Sequence, residues 1–228
     1  FNFLSCFFLL MFNGFFNLVN DILDIAKLQA GKFEINMGSG DIAEIIDNRI
    51  KFFEVSASDK KIKLESLISP NVPKIALFDT ERIKEVLNNL ISNALKFTKA
   101  NEVVSILSFT HSVGASIESE IKKLKFSLPA PLPEEVFAKL PNSLVVIVSH
   151  LDEGIPKEQI GELFNKFKQL NSKEFVSNIK GTGLGLAIVK GIIEEHKGHV
   201  GAVSEVGIGS AFYFVLPLSV EYSITPPS

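Results

Sequence analysis

The segment from Arg82 to Thr98 constrains the fold of this chain most, because its apolar residues recur at the spacing of an α-helix. At about 100° per residue, one broad arc collects the apolar side chains Ile83, Val86, Leu87, Leu90, Ile91 and Ala94. Asn89, Asn93 and Lys96 fall together on a narrow arc of the other side. The pattern predicts a helix over about residues 79–97 that packs on a core and presents two amides and a lysine together.

The polar arc of this helix has two interpretations. Amide oxygens suit Mg²⁺, which completes its shell with water and substrate phosphates, and a lysine adds a point charge for phosphate oxygens. A solvated face of an ordinary amphipathic helix would contain the same residue types. The helix alone therefore does not decide between a site and a surface.

A glycine loop nearly a hundred residues later favours the site. The loop consists of Gly181, Thr182, Gly183, Leu184 and Gly185. Its glycines permit close approach of a ligand and positive φ, and a predicted helix over 183–196 offers free N–H groups and a favourable dipole to an anion. The chain lacks a P-loop, and the loop does not stand in the strand–loop–helix opening of a dinucleotide-binding motif. Together, loop and helix predict a nucleotide site.

At this point the chain resembles a known family, the catalytic ATP-binding domain of sensor histidine kinases. Residues 89–98 resemble the asparagine box of that family, residues 163–167 its phenylalanine box and the loop at 181 its second glycine box. Residues 207–212, followed by Leu216-Pro217, are similar to its last glycine motif and closing strand. The motifs stand in the family's order and cover nearly the whole chain. Residues 18–32 resemble the end of the helical dimerisation domain.

The resemblance implies an α/β (α+β) two-layer sandwich of the histidine-kinase/Hsp90 ATPase type, a mixed sheet covered by helices and preceded by an N-terminal helix. It implies γ-phosphoryl transfer from ATP to a histidine, and from there to an aspartate of a response regulator. Asn93 would bind Mg²⁺, Lys96 would steady phosphate oxygens, and the backbone of 181–185 would surround them. Related ATPases of this fold carry a water-activating glutamate at the position of Asn89, which favours transfer to a protein group over hydrolysis.

The resemblance also implies nucleotide-binding roles for Phe164, Phe167 and Ser210, but the first glycine box departs from the family pattern. The family has Asp, any, Gly, any, Gly, Ile, Pro, with the aspartate accepting a hydrogen bond from adenine. Without a gap, His150 takes the aspartate position; with a two-residue shortening, Asp152 takes it and Gly154 is the sole glycine. Strand alternation leaves both alignments open.

We expect Asp152 to contact the adenine, through an extension of the preceding strand by two residues. The alternative to a kinase domain is a non-catalytic regulatory or dimerisation module whose altered adenine pocket no longer binds ATP.

The phosphoacceptor of the family is a histidine followed by an acidic residue and a turn resembling Arg-Thr-Pro. The histidines of the chain are His111, His150, His196 and His199, and none has this context. We therefore expect the acceptor to lie outside the chain.

The resemblance and the composition divide the chain into three parts. Residues 1–31 are predicted to be the second helix of the dimerisation domain, 32–219 the catalytic domain and 220–228 a linker. A net charge of −3 with well-mixed charges argues against a nucleic-acid binder, and the single Cys6 allows no internal disulfide. The phenylalanine-rich start is too interrupted for a membrane span and lacks the features of a signal peptide.

We accordingly expect a homodimer formed through the N-terminal helix, a response regulator as partner, and a cytoplasmic domain tied to a membrane only through segments upstream. The pattern predicts strands over 32–36, 61–68, 102–109 and 143–150, helices over 41–56 and 156–168, and a hairpin over 199–217. Residues 111–143 are predicted to be a surface excursion, and residues 169–180 correspond to the nucleotide lid of the family.

Overall fold

The computed structural model describes residues 18–166 and 183–218. Predictions that concern Cys6, the lid, Phe167, Gly181, Thr182 and the tail after 218 lie outside the described residues. The helices are α1 (residues 18–29), α2 (Ile42–Asp59), α3 (Thr80–Phe97), α4 (Ile117–Lys123), α5 (Glu134–Lys139), α6 (Lys157–Ile160) and α7 (Gly185–Glu195). The strands are β1 (Gly38–Gly40), β2 (Lys63–Ile68), β3 (Ala76–Phe78), β4 (Val103–His111), β5 (Ser143–His150), β6 (His199–Glu205) and β7 (Gly209–Pro217).

The main sheet has the strand order β2-β4-β5-β7-β6. β2 and β4 run parallel, and the other neighbouring strands run antiparallel. The short strands β1 and β3 form a separate antiparallel pair. The predicted mixed sheet covered by helices is confirmed.

Helix α3 begins where the chain supplies a capping side chain. The Asp79 carboxylate accepts hydrogen bonds from the backbone N–H groups of Glu81 and Arg82, both at 3.1 Å, and so satisfies donors that the first helical turn leaves free. The predicted apolar arc is buried throughout. The helix thus buries its apolar arc and leaves Asn89, Asn93 and Lys96 partly exposed.

The two faces of the sheet belong to two separate apolar clusters. Along β5, Leu144, Val146 and Val148 pack with the helices α2, α3 and α7 in the larger cluster. Val145 and Ile147 point to the opposite face and join a second cluster. The alternation is that of a strand buried on both sides.

The second cluster shows that the interpretation of residues 111–143 as a surface excursion is wrong. Helices α4 and α5 lie in this segment, and Ile121, Leu132, Val136 and Phe137 bury their side chains with β4, β5 and β7. The segment thus adds a partial third layer over the outer face of the sheet. Prolines interrupt its apolar residues, so the sequence shows no regular pattern from which their packing on one side could be predicted.

Helix α1 packs on α3 and α7 through apolar side chains, among them the buried Ile25, and through an ion pair. Arg82 of α3 donates to Asp24 at 2.9 Å and to Glu85 at 2.7 Å. Leu28 packs on Gly191 of α7 so closely that a Cβ on this glycine would overlap it. None of the helices in the described parts of the chain is long and apolar enough to cross a bilayer.

Two sequence-based element predictions are wrong. Residues 32–36 form no strand; the chain passes there to β1, and the Asn36 N–H donates to the Asp79 carboxylate at 2.8 Å. The predicted helix over 156–168 is a single helical turn, α6, followed by turns up to residue 166. Gly161 ends α6, in keeping with the low helix propensity of glycine.

Candidate nucleotide-binding site

Two polar side chains of the α3 arc are available to a ligand. Asn93 and Lys96 are both partly exposed, and no side-chain hydrogen bond joins either one to another residue in the described ranges. The Lys96 ammonium lies 5.1 Å from the centroid of the Phe97 ring. Burial lowers the pKa of Lys96, and the neighbouring charge of Lys60 lowers it further. An anion beside this lysine would stabilise its charged form.

Asn89 has a different environment from Asn93, one turn further along the same arc. Its amide Nδ2 donates to the Glu85 carbonyl at 3.2 Å. A Cβ built on Gly185 would lie 2.6 Å from Asn89 Oδ1. Asn89 therefore joins α3 to the start of α7, and its amide is engaged within the protein.

The described part of the glycine loop leads directly into this joint. Gly183 has φ +71°, a conformation that disfavours side chains, and Leu184 is buried. Helix α7 begins at Gly185, and in the described part of the chain no side chain caps its start, where a helix offers N–H groups to an acceptor. The structure thus brings α3 and the end of the glycine loop together, as we predicted from the two motifs.

Asp152 lies beyond the end of β5, in a network with the last glycine motif. Ser210 Oγ donates to the two carboxylate oxygens of Asp152 at 2.9 and 3.0 Å, and the Gly154 N–H donates to Oδ1 at 2.9 Å. The predicted extension of the strand to Asp152 is wrong, since β5 ends at His150. The carboxylate of Asp152 instead lies against the sheet, where it accepts the hydrogen bonds from Ser210 of β7.

The charge of Asp152 is stabilised by its neighbours. Burial raises its pKa, but proximity to His150 and the hydrogen bonds from Gly154 and Ser210 outweigh burial, so its pKa lies below the ordinary value. Its Oδ2 is 3.2 Å from His150 Nε2. At neutral pH this group is a carboxylate and accepts hydrogen bonds only.

His150 is the residue that the ungapped alignment puts in the aspartate position, and it is buried. It shares its sheet face with Val148 and stacks on Phe212, with ring centroids 6.1 Å apart and planes at 8°. Phe164 of the phenylalanine box meets the same Phe212 edge-to-face at 6.5 Å. The structure therefore places His150, Asp152, Ser210 and Phe164 in one neighbourhood.

Gly154 permits the chain to pass close to β6 after Asp152. Its φ is +72°, and a Cβ at this position would lie 2.6 Å from the Cα of Val206. A polar cleft of about 400 Å³ opens beside this turn; its lining consists of Lys99, Glu102, Leu151, Asp152, Gly207 and Ile208. Asp152 stands between the buried network and this cleft.

Sequence reasoning missed two residues that build the site. Ser204 accepts from the Ile155 N–H at 2.8 Å, donates to the Gly209 carbonyl at 2.7 Å and lies 3.0 Å from Ser210 Oγ. His196 links α7 to the start of α3, because its Nε2 accepts from the Asp79 N–H at 3.0 Å. A serine within a strand and a histidine at a helix end carry no sequence signal for such roles.

Comparison with known proteins agrees with this geometry. Residues 78–220 match the family described as "Histidine kinase-, DNA gyrase B-, and HSP90-like ATPase". Drug sensory protein A of Synechocystis sp. is 31% identical over 200 residues, which cover 87% of this chain and 26% of that protein. Hybrid signal transduction histidine kinase B of Dictyostelium discoideum is 32% identical over 216 residues, or 93% of this chain and 10% of that protein. The chain thus spans about a quarter or less of the length of these relatives.

Solved structures show the same fold. Full-length ShkA, solved in complex with AMPPNP, superposes with a TM-score of 0.67 at 25% identity, over 89% of this chain and 35% of that one. Histidine kinase ThkA, solved in complex with the response regulator TrrA, superposes with a TM-score of 0.62 at 20% identity, over 96% of this chain and 52% of that one. The matched family, the relatives and the shared fold confirm the resemblance deduced from the motifs. The chain belongs to the histidine kinase-, DNA gyrase B- and HSP90-like ATPase family.

Proposed function

We propose that this chain is the ATP-binding catalytic domain of a protein histidine kinase. The observation that carries the proposal is the joint between α3 and α7. It sets Asn93 and Lys96, whose side chains make no hydrogen bond to another described residue, on the same helix face as Asn89, which contacts Gly185 at the start of α7. An amide, an ammonium and the N-terminal end of a helix in one place suit a polyphosphate with its metal ion.

The donor set fits Mg²⁺ bound together with ATP. Asn93 would offer its amide oxygen to the ion, whose chemistry is to neutralise charge on the phosphate oxygens. Lys96 would contact the same phosphates, and the backbone at Gly183, Leu184 and Gly185 would surround them. Asn89 would fix the position of α3 relative to α7. Its amide group is already bound within the protein, so it would not bind the metal ion.

The base would lie near the end of β5. We assign Asp152, Gly154 and Ser210 to this part of the site because hydrogen bonds join them, and Phe164 because its ring meets that of Phe212. Phe167, Gly181 and Thr182 belong to the same proposal through their motifs and lie outside the described residues.

The reaction would be transfer of the γ-phosphoryl group of ATP. The bond from the γ-phosphorus to the bridging oxygen breaks, a bond from this phosphorus to an imidazole nitrogen forms, and ADP leaves. The acceptor histidine lies outside this chain, and a response regulator aspartate receives the phosphoryl group next. The complex of ThkA with TrrA, a protein of the same fold, supports a response regulator as partner.

Helix α1 would belong to the dimerisation domain that precedes the catalytic domain. Ile22 and Leu23 leave about half of their surface exposed on this helix, and such an apolar side suits packing against a second copy. We propose boundaries at residues 31 and 219 for the catalytic domain. Attachment of the whole protein to a membrane would occur through segments upstream of this chain.

The alternative of a regulatory module that does not bind ATP is not favoured. Within the described residues, the Asn93 amide and the Lys96 ammonium make no side-chain hydrogen bond beside the start of α7, which favours a ligand site over a purely structural face. The altered first glycine box still presents a carboxylate, that of Asp152.

Direct binding of ATP, measured with and without Mg²⁺, tests the proposal. We expect Mg²⁺-dependent binding in the wild type, and its loss in Asn93→Ala with an unchanged free energy of unfolding, because a partly exposed asparagine contributes little to stability. Asn48→Ala on the exposed side of α2 is the matched control. Equal Mg·ATP affinity in wild type and Asn93→Ala would refute the assignment, and no binding by the wild type would refute the function.

A further inference from the structure

Lys60 binds the last turn of α3 from outside that helix. It follows α2 directly, and its ammonium donates a hydrogen bond to the Leu95 carbonyl at 2.9 Å. The chain after α2 runs beside the chain after α3, because the Asn101 N–H donates to the Lys61 carbonyl at 2.7 Å. The cation that a helix C-terminus favours is thus supplied to α3 by the end of its neighbour.

The carbonyl groups next to Lys96 in this turn are thereby occupied. The Ala94 carbonyl accepts from the N–H of Thr98 at 2.9 Å and from its hydroxyl at 2.7 Å, and the Leu95 carbonyl accepts from Lys60. A lysine in the last turn of a helix can satisfy such carbonyls itself. Lys96 stands in that turn, yet within the described residues its ammonium makes no hydrogen bond to them. The acceptors that would hold it are taken by other groups.

The ammonium groups of Lys60 and Lys96 also repel each other. The charge of Lys60 adds to burial in lowering the pKa of Lys96. Neither lysine has an ion-pair partner among the described residues. Two cations at one helix end without an acidic neighbour to pair with them favour an anion beside them. Repulsion from Lys60 and the occupied carbonyls therefore act on Lys96 in the same sense.

We propose that Lys60 is a positioning residue of the phosphate site: by occupying the Leu95 carbonyl and repelling the Lys96 ammonium, it keeps Lys96 free to bind the phosphates of a nucleotide. This inference rests on the proposed nucleotide-binding function. Without Lys60, the Leu95 carbonyl would become an acceptor for Lys96, and the nucleotide would have to compete with it. Lys60 thus acts on the ligand through Lys96 and does not contact it.

The experiment is a double-mutant cycle on the dissociation constant of Mg·ATP, measured with the whole chain. Lys60→Met removes the charge and the donors, and it should weaken binding about tenfold, the effect of one hydrogen bond to a charged group. Lys96→Met should weaken binding at least as much. In the Lys96→Met background, Lys60→Met should change the affinity by less than about twofold, because no ammonium remains for it to position.

Two further measurements separate this role from a contribution to stability alone. Lys60 is exposed as a whole, so its loss should leave the fold intact and the affinity for adenosine, which has no phosphates, unchanged. Lys60→Arg keeps the charge and the donors and should recover most of the ATP affinity. Lys51→Met, at an exposed position of α2, removes one positive charge and is the matched control; it should bind ATP as the wild type does.

The outcomes distinguish this inference from the function on which it rests. Wild-type protein that does not bind Mg·ATP overturns both. Binding that Lys60→Met leaves unchanged, or that it weakens equally for ATP and adenosine, overturns the positioning role alone. Equal weakening by Lys60→Met in the wild type and in Lys96→Met would show that Lys60 contacts the phosphates itself, which also overturns it. Lys60→Ala removes the same groups and supplies the same cycle if the methionine variant does not fold.

Discussion

The amide oxygen of Asn89 lies against the Cα of Gly185, so that a Cβ at this glycine would be 2.6 Å from it. Asn89 stands one turn before Asn93 on α3, and Gly185 is the first residue of α7. The contact therefore fixes the distance between the helix that carries the proposed metal ligand and the helix end that faces the phosphates. Within the described residues, both motifs meet at this point.

Gly185→Ala tests how tightly the two helices are joined. Alanine normally stabilises a helix relative to glycine by up to about 1 kcal/mol, but here its Cβ would overlap Asn89 Oδ1. We expect the substitution to lower the free energy of unfolding by about 1–3 kcal/mol, the usual cost of overpacking, and to weaken ATP binding. Chemical denaturation and nucleotide titration measure the two effects.

The double variant Gly185→Ala/Asn89→Ala identifies the cause. The Cβ of Asn89 lies 4.0 Å from the built Cβ of Gly185, so alanine at both positions fits, and the glycine substitution should become neutral or stabilising in this background. Gly161→Ala is the control, because nothing lies within 4 Å of its built Cβ. Equal destabilisation in both backgrounds would contradict the contact as the cause.

Much of this fold follows from local sequence patterns. The apolar arc of α3, the strand at 143–150 and the hairpin up to Pro217 were predicted nearly as the structure has them, because each combines strong periodicity with clear end signals. The third layer was missed because its apolar residues do not follow one period and become coherent only against the outer face of the sheet.

Some features of the candidate site could likewise be predicted from local sequence, and others depend on tertiary packing. The arc of Asn89, Asn93 and Lys96 is a local helical pattern and could be predicted, but the engagement of Asn89 by Gly185 depends on tertiary packing. The ambiguity between His150 and Asp152 could not be resolved from sequence. Its structural basis is that the strand stops at His150 while the Asp152 side chain returns to Ser210, and both features depend on a partner strand remote in sequence.

His196 is expected to stabilise the start of α3. Its Nδ1 pairs with the Ile192 carbonyl at 2.7 Å, which leaves Nε2 to accept from the Asp79 N–H at 3.0 Å. His196→Phe would keep the volume but leave that buried N–H unpaired, at a cost of about 1–3 kcal/mol in the free energy of unfolding. His196→Gln retains an acceptor and should recover part of the loss. Similar stabilities for Phe and Gln variants would show that packing alone matters at this position.

His111 should make stability depend on pH. It is buried at the end of β4 with its ring 5.4 Å from that of Phe137. Burial lowers its pKa, partly offset by the charge of Glu120. Because the folded-state pKa lies below the unfolded value of about 6.5, the unfolded state binds more protons between the two values. Its contribution is therefore complete above about pH 6.5 and is lost as the pH falls towards the folded-state pKa.

Denaturation of the wild type and of His111→Phe over this pH range measures the effect. Phenylalanine does not titrate, and His199, whose pKa burial also lowers, is present in both proteins and cancels in the difference. The wild type should lose stability relative to the variant as the solution is acidified. A constant difference across the range would show that His111 has the same pKa in the folded and unfolded states.

The chain alone should not acquire phosphate on histidine when incubated with Mg·ATP. His196 has both ring nitrogens engaged, and His111 and His150 are buried, so these imidazoles cannot reach the γ-phosphorus of a nucleotide bound at the α3–α7 joint. His199 is partly exposed, yet it lies at the start of β6, directly after the far end of α7 from Gly185. Assay of acid-labile phosphate should therefore give no signal for the chain by itself.

A separately supplied dimerisation domain with an acceptor histidine should become labelled, and this labelling should vanish with Asn93→Ala. Stoichiometric labelling of the chain alone would place the acceptor within it and contradict the division of roles proposed for this domain.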